Sequence, residues 1–490
     1  MELSTDMKRV DDGAAGHRDF PLAAVESRPG AGALHVHPRT AARLGIRPGP
    51  AVTVACSDRT AAVSVRLDPA MAEGTLALPD AVLRRLGLGS PVAIRLRYRV
   101  KGGGDAIELG PVIGILANVR PGEMPRPRDH GYKVIHAVWN AEELGGLIYF
   151  FAPGDIDWVR REVRGFVHVP GKIQWEEGRF PFPTAIYRRT TISSDLEEHI
   201  KWAITPHMFN PVALGNKLRQ HQLLGGRPEF QSHLPETRAL DGEDTFADMV
   251  RRYRRVYVKN THRGAGKGVF LVEALSRKHG YRVRMRDRSE AGSGPNEREV
   301  TVPSFEALMD TATAVVGRPW SPRHWLVQQP IPLARYEGRP FDVRVNVQKN
   351  GDGEWTIPGH VVRIAPEEGS AVTRLGRYRQ VSTVVGRLWP KRKEDILERI
   401  ESLSIRLCQA LEEELGLMGD VGVDIALDGH GHPWFLEANP RPCHRLRSAD
   451  QLSREYWRKV FTPLLYASYL SGFPVRFKDM SRVPARVEGA

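Results

Sequence analysis

The stretch VGVDIALDGHGHPWFLEANP, residues 421–440, constrains the fold more than any other part of the chain. Two apolar runs flank a polar turn, the pattern of a β-hairpin, yet Asp424, Glu437 and Asn439 sit inside those runs. An unpaired carboxylate in a strand interior is expensive to bury, so each acid must be hydrated, ion-paired or bound to a metal. A turn centred on His430-Gly431 sets Asp424 directly across from Glu437. Side-chain alternation then places Glu437 and Asn439 on one face, about 7 Å apart at their Cα atoms. Facing carboxylates repel and raise each other's pKa unless a cation lies between them. A set of hard oxygens with room for water suits Mg²⁺. The expectation is that Asp424, Glu437 and Asn439 hold one or two magnesium ions; an edge hairpin with its acids in solvent is the equally open reading of these residues alone. His430 and His432 fall on the turn tip, where imidazoles are better explained as solvated than as ligands of a hard metal. Cys443 and His444 are adjacent in extended backbone and point apart, which argues against a nucleophile–base pair.

Upstream, RRVYVKNTHRGAGKGVFLV (residues 254–272) reads as strand, glycine loop, strand. Close glycines let backbone N–H groups approach phosphate oxygens, and lysines neutralise the charge. The Walker pattern GxxxxGK[ST] is absent, and the loop leads into a strand instead of a helix, so a flap closing over a nucleotide fits better than a P-loop. An ordinary turn is the alternative. Lys259 ends the first strand beside the loop, and Lys217 opens a helix-like segment in GNKLRQHQLL.

With 490 residues the chain has length for about three domains at roughly 150 residues each. RLGIRPGPAVTV (residues 43–54) echoes in RLGLGSPVAIRL (residues 85–96), two similar β-units that resemble the halves of a double-psi barrel. KGGGD (residues 101–105) reads as a linker. The apolar runs GPVIGILANV and GGLIYFFAPGDID then suggest a small α/β unit with a parallel sheet. In KRKEDILERIESLSIRLCQALEEELGL, Ile396, Ile400, Leu403, Leu407, Leu411 and Leu415 recur at helical steps, with Gly416 at the C′ position, which marks a core helix. No apolar run reaches the roughly 18 residues of a membrane span. The N-terminus lacks a secretory h-region, and three scattered cysteines (Cys56, Cys408, Cys443) make no disulfide framework. A cytoplasmic compartment is expected. The net charge of +13 is spread along the chain without a basic block, so a nucleic acid or other polyanion is the least favoured partner.

Lys259, the glycine loop, Asp424, Glu437 and Asn439, in this order, resemble the ATP-grasp superfamily. More closely, the chain resembles the YheC/YheD family of endospore coat-associated ATP-grasp proteins. The segments carrying the likeness are GPVIGIL, AIYRRT, FNP with NKLRQHQLL, HLPET, VYVKNTHRGAGKGV, WLVQQPIPL, GRPFDVRVNVQKNGDGEW, GHVVRIAP and VGVDIALDGHGHPWFLEANPRP. The resemblance implies a multidomain α+β and α/β fold. A flexible tail (1–20) and a small β-barrel-like domain (21–103) precede a pre-ATP-grasp α/β domain (106–205), an ATP-grasp domain (206–472) and a C-terminal tail (473–490). It implies ATP and Mg²⁺ as cofactors. Lys217, Lys259 and the flap residues Arg263, Gly264, Gly266, Lys267 and Gly268 would contact phosphate, and the hinge Gln328, Gln329 and Ile331 would hold adenine. Asp342 and Arg344 would form the DxR pair by the reacting phosphate. Catalysis would fall to Arg344, Lys259 and Lys267. The chain departs from the pattern at Gln328-Gln329, where an acid is usual, and at residues 373–377, TRLGR, where relatives tend to carry Asn-Leu and a Gly-Gly pair. The implied activity is ATP-dependent joining of a small-molecule or peptide carboxylate to an amine through an acyl phosphate, in a mother-cell or spore-coat setting with coat-protein partners and no membrane. The alternative is a non-catalytic nucleotide-binding component of the coat.

Overall fold

A computed structural model describes residues 20–28, 32–49, 51–89, 94–118, 144–168, 175–262, 268–275, 280–286, 297–317, 320–366, 377–442 and 454–475. The first strands are β1 (Leu22–Ser27), β2 (Ala33–Val36), β3 (Ala51–Cys56), β4 (Arg59–Leu67), β5 (Thr75–Leu78), β6 (Ile94–Lys101) and β7 (Ala106–Gly110). They close into a barrel in the order β1-β5-β2-β4-β3-β7-β6. The two echoing segments occupy equivalent places in it. Helices α1 (Pro38–Leu44) and α2 (Asp80–Leu86) each end on the Leu-Gly pair, with Gly45 at φ 65° and Gly87 at φ 73°, and the chain then enters β3 or β6. Only glycine takes that left-handed cap without strain.

The KGGGD segment does not link domains. Gly102 and Gly103, at φ 62° and 68°, turn the chain back so that Lys101 pairs with Ala106, and the barrel runs on to Gly110. Consecutive glycines here supply positive-φ turn geometry instead of a free tether.

A second, mixed sheet follows, built from β8 (Val112–Leu116), β9 (Leu147–Phe151), β10 (Ile156–Asp157), β11 (Glu162–His168), β12 (Trp175–Pro181), β13 (Ala185–Arg188) and β14 (Met208–Phe209), with helix α3 (Ser194–Ala203). Its order is β10-β11-β9-β8-β13-β14, β12 pairing with β11; β8, β9, β13 and β14 run parallel. The barrel and this sheet share one core: Leu109, Val112, Tyr149, Phe180 and Ile186 belong to a single buried cluster. The expected tails also pack at their inner ends. Phe473 and Val475 are buried, and the Phe473 ring meets Phe20 at 5.3 Å while Arg99 stacks on it.

Helix α4 (Lys217–Gly225) leads into a third sheet. Its elements are β15 (Thr237–Ala239), α5 (Glu243–Tyr253), β16 (Arg255–Asn260), β17 (Val269–Ala274), β18 (Tyr281–Arg286), β19 (Glu297–Val302), α6 (Phe305–Val316) and β20 (Trp325–Gln328), with strands ordered β15-β20-β16-β17-β18-β19. The fourth sheet comprises β21 (Arg335–Tyr336), β22 (Arg339–Lys349), β23 (Trp355–Ile364), β24 (Arg377–Arg379), β25 (Asp420–Leu427) and β26 (Pro433–Asn439), ordered β24-β23-β22-β25-β26 with β21 on β22. Helices α7 (Val381–Leu388) and α8 (Lys393–Leu415) cover it. Ile396, Ile400, Leu403, Leu407 and Leu411 are fully buried in α8, as the helical stripe requires, and Leu415 packs at the margin. Helix α9 (Arg454–Leu470) returns to the second sheet through Val460, Phe461 and Leu464. Among the described residues no helix is long and apolar enough to cross a membrane.

One residue fastens the second sheet to the hairpin. Asn210, buried at φ 67°, donates to the carbonyls of Asp420 and Pro440 at 3.0 Å each, and its Oδ1 accepts from the backbone N–H groups of Gly419 (3.0 Å) and Asp420 (3.1 Å). The Asn210→Ala substitution strands four backbone groups at once. A loss of about 3 kcal/mol or more is expected, read as a lowered urea midpoint; an unchanged midpoint would show that water replaces the amide.

Candidate active site

Strands β16 and β26 lie in different sheets and turn charged side chains toward each other. Asn216 caps α4 by accepting from Arg219 N at 3.1 Å, and this first turn sets Lys217 Nζ 3.2 Å from Glu437 Oε2. Lys259, near the end of β16, donates from Nζ to Gln328 Oε1 at 2.5 Å and feels Glu437, Lys217 and Asp424. Burial is the largest influence on this amine and pulls its pKa down to about 8, against the opposing field of Glu437.

The hairpin carries the facing acids. Asp424 pairs with Glu437 across β25 and β26, and Asn439 Nδ2 lies 3.2 Å from Glu437 Oε1 and 3.4 Å from Asp424 Oδ2. The route to this register differs from a turn centred on His430-Gly431. Asp428 accepts from Gly431 N at 2.9 Å and donates to His432 O at 3.2 Å, so the turn centres on His430 alone, which would set Asp424 opposite Leu436. A bulge between Asp424 and Ile425 leaves Leu436 as an extra residue and restores Glu437 to its place. His221 Nε2 meets the bulged carbonyl of Leu436 at 3.1 Å, and burial lowers this histidine's pKa to about 4, keeping it neutral.

Asp424 is ion-paired within the protein. Arg344 lies directly across β22 from it and binds both of its oxygens, Nη2 to Oδ2 at 2.9 Å and Nε to Oδ1; Arg363 Nη2 adds a third contact at 3.0 Å. Burial alone would raise the Asp424 pKa, but the two guanidiniums outweigh it and hold the carboxyl down to about 2. Arg363 in turn faces Asp342 across the β22–β23 pair and donates to both its oxygens at 2.7 and 2.6 Å. Asp342, expected beside the reacting phosphate, is therefore the anchor of Arg363. Gly422 makes room for the cluster: a Cβ there would come within 3.0 Å of Arg344 Nη1 and of Pro442 Cβ.

Gln328 also differs from expectation. Its side chain is buried, accepts from Lys259, donates to Thr237 Oγ1 at 2.8 Å and lies 3.3 Å from His221 Nε2, so it supports the lysine from a diagonal position on the sheet instead of facing a base. Gln329 turns away as well, its Oε1 accepting from Glu236 N at 2.7 Å, while Ile331 is partly exposed on the loop that follows. Gly268, at φ 68°, closes the flap base by accepting from Asn260 N at 2.8 Å. Arg263, Gly264, Gly266 and Lys267 lie outside the described residues, as do Thr373 to Gly376 and Cys443-His444. Residue-level reading missed Arg363, Thr237 and His221. Arg363 had a signal, because it stands at strand alternation in GHVVRIAP across a Gly-Asp-Gly turn from Asp342.

The fold and this facing of two sheets define a class that sequence comparison names. A family described as YheC/D like ATP-grasp matches residues 205–470, and the chain belongs to that family. It is 25% identical over 382 residues to the endospore coat-associated protein YheD of Bacillus subtilis, covering 74% of this chain and 80% of that protein. To the endospore coat-associated protein YheC of the same organism it is 22% identical over 352 residues, 67% of this chain and 90% of the other. Among solved structures it is similar to a D-alanine-D-alanine ligase from Coxiella burnetii (TM-score 0.41, 11% identity, 76% of this chain and 95% of that one). It is likewise similar to an N5-carboxyaminoimidazole synthetase from Staphylococcus aureus complexed with ADP (TM-score 0.42, 11% identity, 74% and 78%).

Asp424→Asn leaves the buried Arg363 and the partly buried Arg344 short of a counter-charge, and a loss of about 3 kcal/mol is expected in a denaturant melt. Because the folded pKa lies below the ordinary 3.8, the carboxylate's contribution is complete above pH 3.8 and lost as pH falls through about 2. The asparagine variant should lack that part of the wild type's acid sensitivity.

Proposed function

We propose that the chain is an ATP- and Mg²⁺-dependent carboxylate–amine ligase acting in formation of the endospore coat or cell surface. The observation that carries this reading is the meeting of Lys217 and Lys259 with Glu437 and Asn439 at the junction of two sheets in a member of the YheC/D-like ATP-grasp family. The lysines offer a triphosphate two ammonium groups, one of them nearly dry, where charge stabilisation is much stronger than in water. In this mechanism a substrate carboxylate oxygen attacks the γ-phosphorus and ADP leaves. The amine nitrogen then attacks the acyl carbon, phosphate departs, and the amine gives up a proton. Arg344 is the group suited to bind the acyl phosphate, since guanidinium engages phosphate in bidentate fashion.

The residues present fit magnesium in a graded way. Glu437 and Asn439 are hard donors, and Glu437 already holds one cation, the Lys217 ammonium. Asp424 joins them once Arg344 turns aside. A divalent cation held there would neutralise phosphoryl oxygens. Coat association and a mother-cell location are proposed on the strength of the two relatives' names, with coat proteins or cell-surface peptides as partners. One observation favours the alternative of a non-catalytic nucleotide-binding coat component: Asp424 has two arginine partners, Arg344 and Arg363.

ADP release and new amide mass, followed over a panel of amino acids and peptides with Mg-ATP, decide between them. Turnover that falls at least about 100-fold in Glu437→Gln supports the ligase; ATP binding without turnover on any acceptor supports the structural role. A second measurement reads the lysine. Phosphate beside Lys259 raises its pKa from about 8, so ATP binding should take up a fraction of a proton near pH 8 and almost none well below it. Calorimetry in buffers of different ionisation enthalpy measures this, and Lys259→Met should abolish it.

A further inference from the structure

The ion pairs around Asp424 are unequal, and the inequality carries an inference that rests on the ligase reading. Asp424 has two arginine partners with different anchors. Arg363 is nine-tenths buried and is fixed independently by two hydrogen bonds to Asp342. Arg344 is more exposed, 17% at its side chain, and its ion-pair partner is Asp424 alone among the described residues. Arg344 reaches Asp424 from β22 while Asn439 and Glu437 stand across from it on β26, and Arg344 occupies both carboxylate oxygens, Oδ1 and Oδ2. A divalent cation on these three groups and the Arg344 guanidinium therefore compete for the same carboxylate oxygens. Arg363 holds Oδ2, so Oδ1 can pass from Arg344 to a cation while Arg363 stays in place.

We infer that Arg363 is a positioning residue that, clamped by Asp342, holds Asp424 fixed, so that Arg344 can exchange its hold on Asp424 for an anionic substrate group when a divalent cation binds. The two arginines are then a permanent and an exchangeable counter-ion of one acid. Loading with the cation and readiness of Arg344 for the substrate become one event. Linkage requires the coupling to run both ways: whatever anion draws Arg344 away strengthens cation binding by the same factor.

The test uses the full chain with Mn²⁺ as probe, titrated without nucleotide and followed by electron paramagnetic resonance of free Mn²⁺. Arg344→Gln removes the competitor and should tighten Mn²⁺ binding by about tenfold. Arg363→Gln removes the same charge from the same carboxylate but leaves Arg344 in place on Asp424, so it should not tighten binding. Thermal melts select folded variants, and Arg363→Met replaces the glutamine variant if that one does not fold. Sulfate should strengthen Mn²⁺ binding in the wild type and not in Arg344→Gln. Equal tightening in both variants would mean that only the summed field matters, and no tightening in Arg344→Gln would mean no competition; either overturns the inference. A wild type that binds ATP while showing such a result leaves the ligase reading standing, whereas a wild type that binds neither Mn²⁺ nor ATP overturns both.

Discussion

The structure of the site depends on neutralising charge inside a β-sheet. Arg363, Asp342, Arg344, Asp424 and Glu437 lie on neighbouring strands, and each is within reach of an opposite charge: Arg363 with Asp342, Arg344 with Asp424, Glu437 with Lys217. Removing two ions from water costs several kcal/mol each, and only good geometry returns it. Sheet register supplies that geometry, because directly opposed residues meet without the side chains searching for one another. A slip of one residue would turn every member to the other face. This is why the bulge at Leu436 matters: without it the turn at His430 would deliver an apolar side chain opposite Asp424.

The same requirement explains the polar groups packed behind the hairpin. Gln220 donates to the carbonyls of Leu214 and Ala438 and accepts from Ala438 N, and His221 takes the bulged carbonyl, so α4 fixes the backbone of β26 as well as presenting Lys217. From the other side, Asp420 accepts from Tyr187, from Arg189 at 3.2 Å and from Gln348 at 2.7 Å, and Arg189 reaches Pro442 O at 3.0 Å. The open end of the hairpin is thus held from both sides. The barrel contributes to this rigidity indirectly, because it shares its core with the sheet that carries Tyr187 and Arg189.

Much of this was legible in the sequence because it follows from periodicity. The α8 stripe and the β16–β17 hairpin around the glycines come from alternation and turn position, whereas the facing of Asp424 with Glu437 was reached from a turn centre one half-step off and is restored by the bulge at Leu436. What was not legible depends on partners far apart in the chain. Arg363 is 61 positions from Asp424, and nothing local marks it as that acid's counter-ion. Metal and guanidinium satisfy a buried carboxylate equally well on paper, so a pattern of acids alone could not choose between them. Gln328 shows the same limit: a glutamine at a strand end can face a ligand or a neighbour, and only the position of Lys259 on the adjoining strand decides. The three glycines after Lys101 misled for a different reason, since composition reports conformational freedom and not the turn that uses it.

A site whose charges are already paired constrains what can enter it. An anion taken by Lys217 and Lys259 alone would draw Lys217 off Glu437 and leave that acid without its partner. A cation taken by Asp424 and Glu437 alone would displace Arg344 and Lys217 and leave both seeking anions. In the proposed ligase, a cation and a polyphosphate arriving together would let the lysines pass to phosphate and the acids to the cation, with no buried charge left alone. Because an unpaired charge in a dry site costs far more than an exchanged pair, this arrangement disfavours either ligand by itself. On the proposed ligase reading, such a site would select a metal–triphosphate complex over its parts, with the specificity coming from the internal pairs that must be traded and Arg363 on Asp342 as the pair that stays.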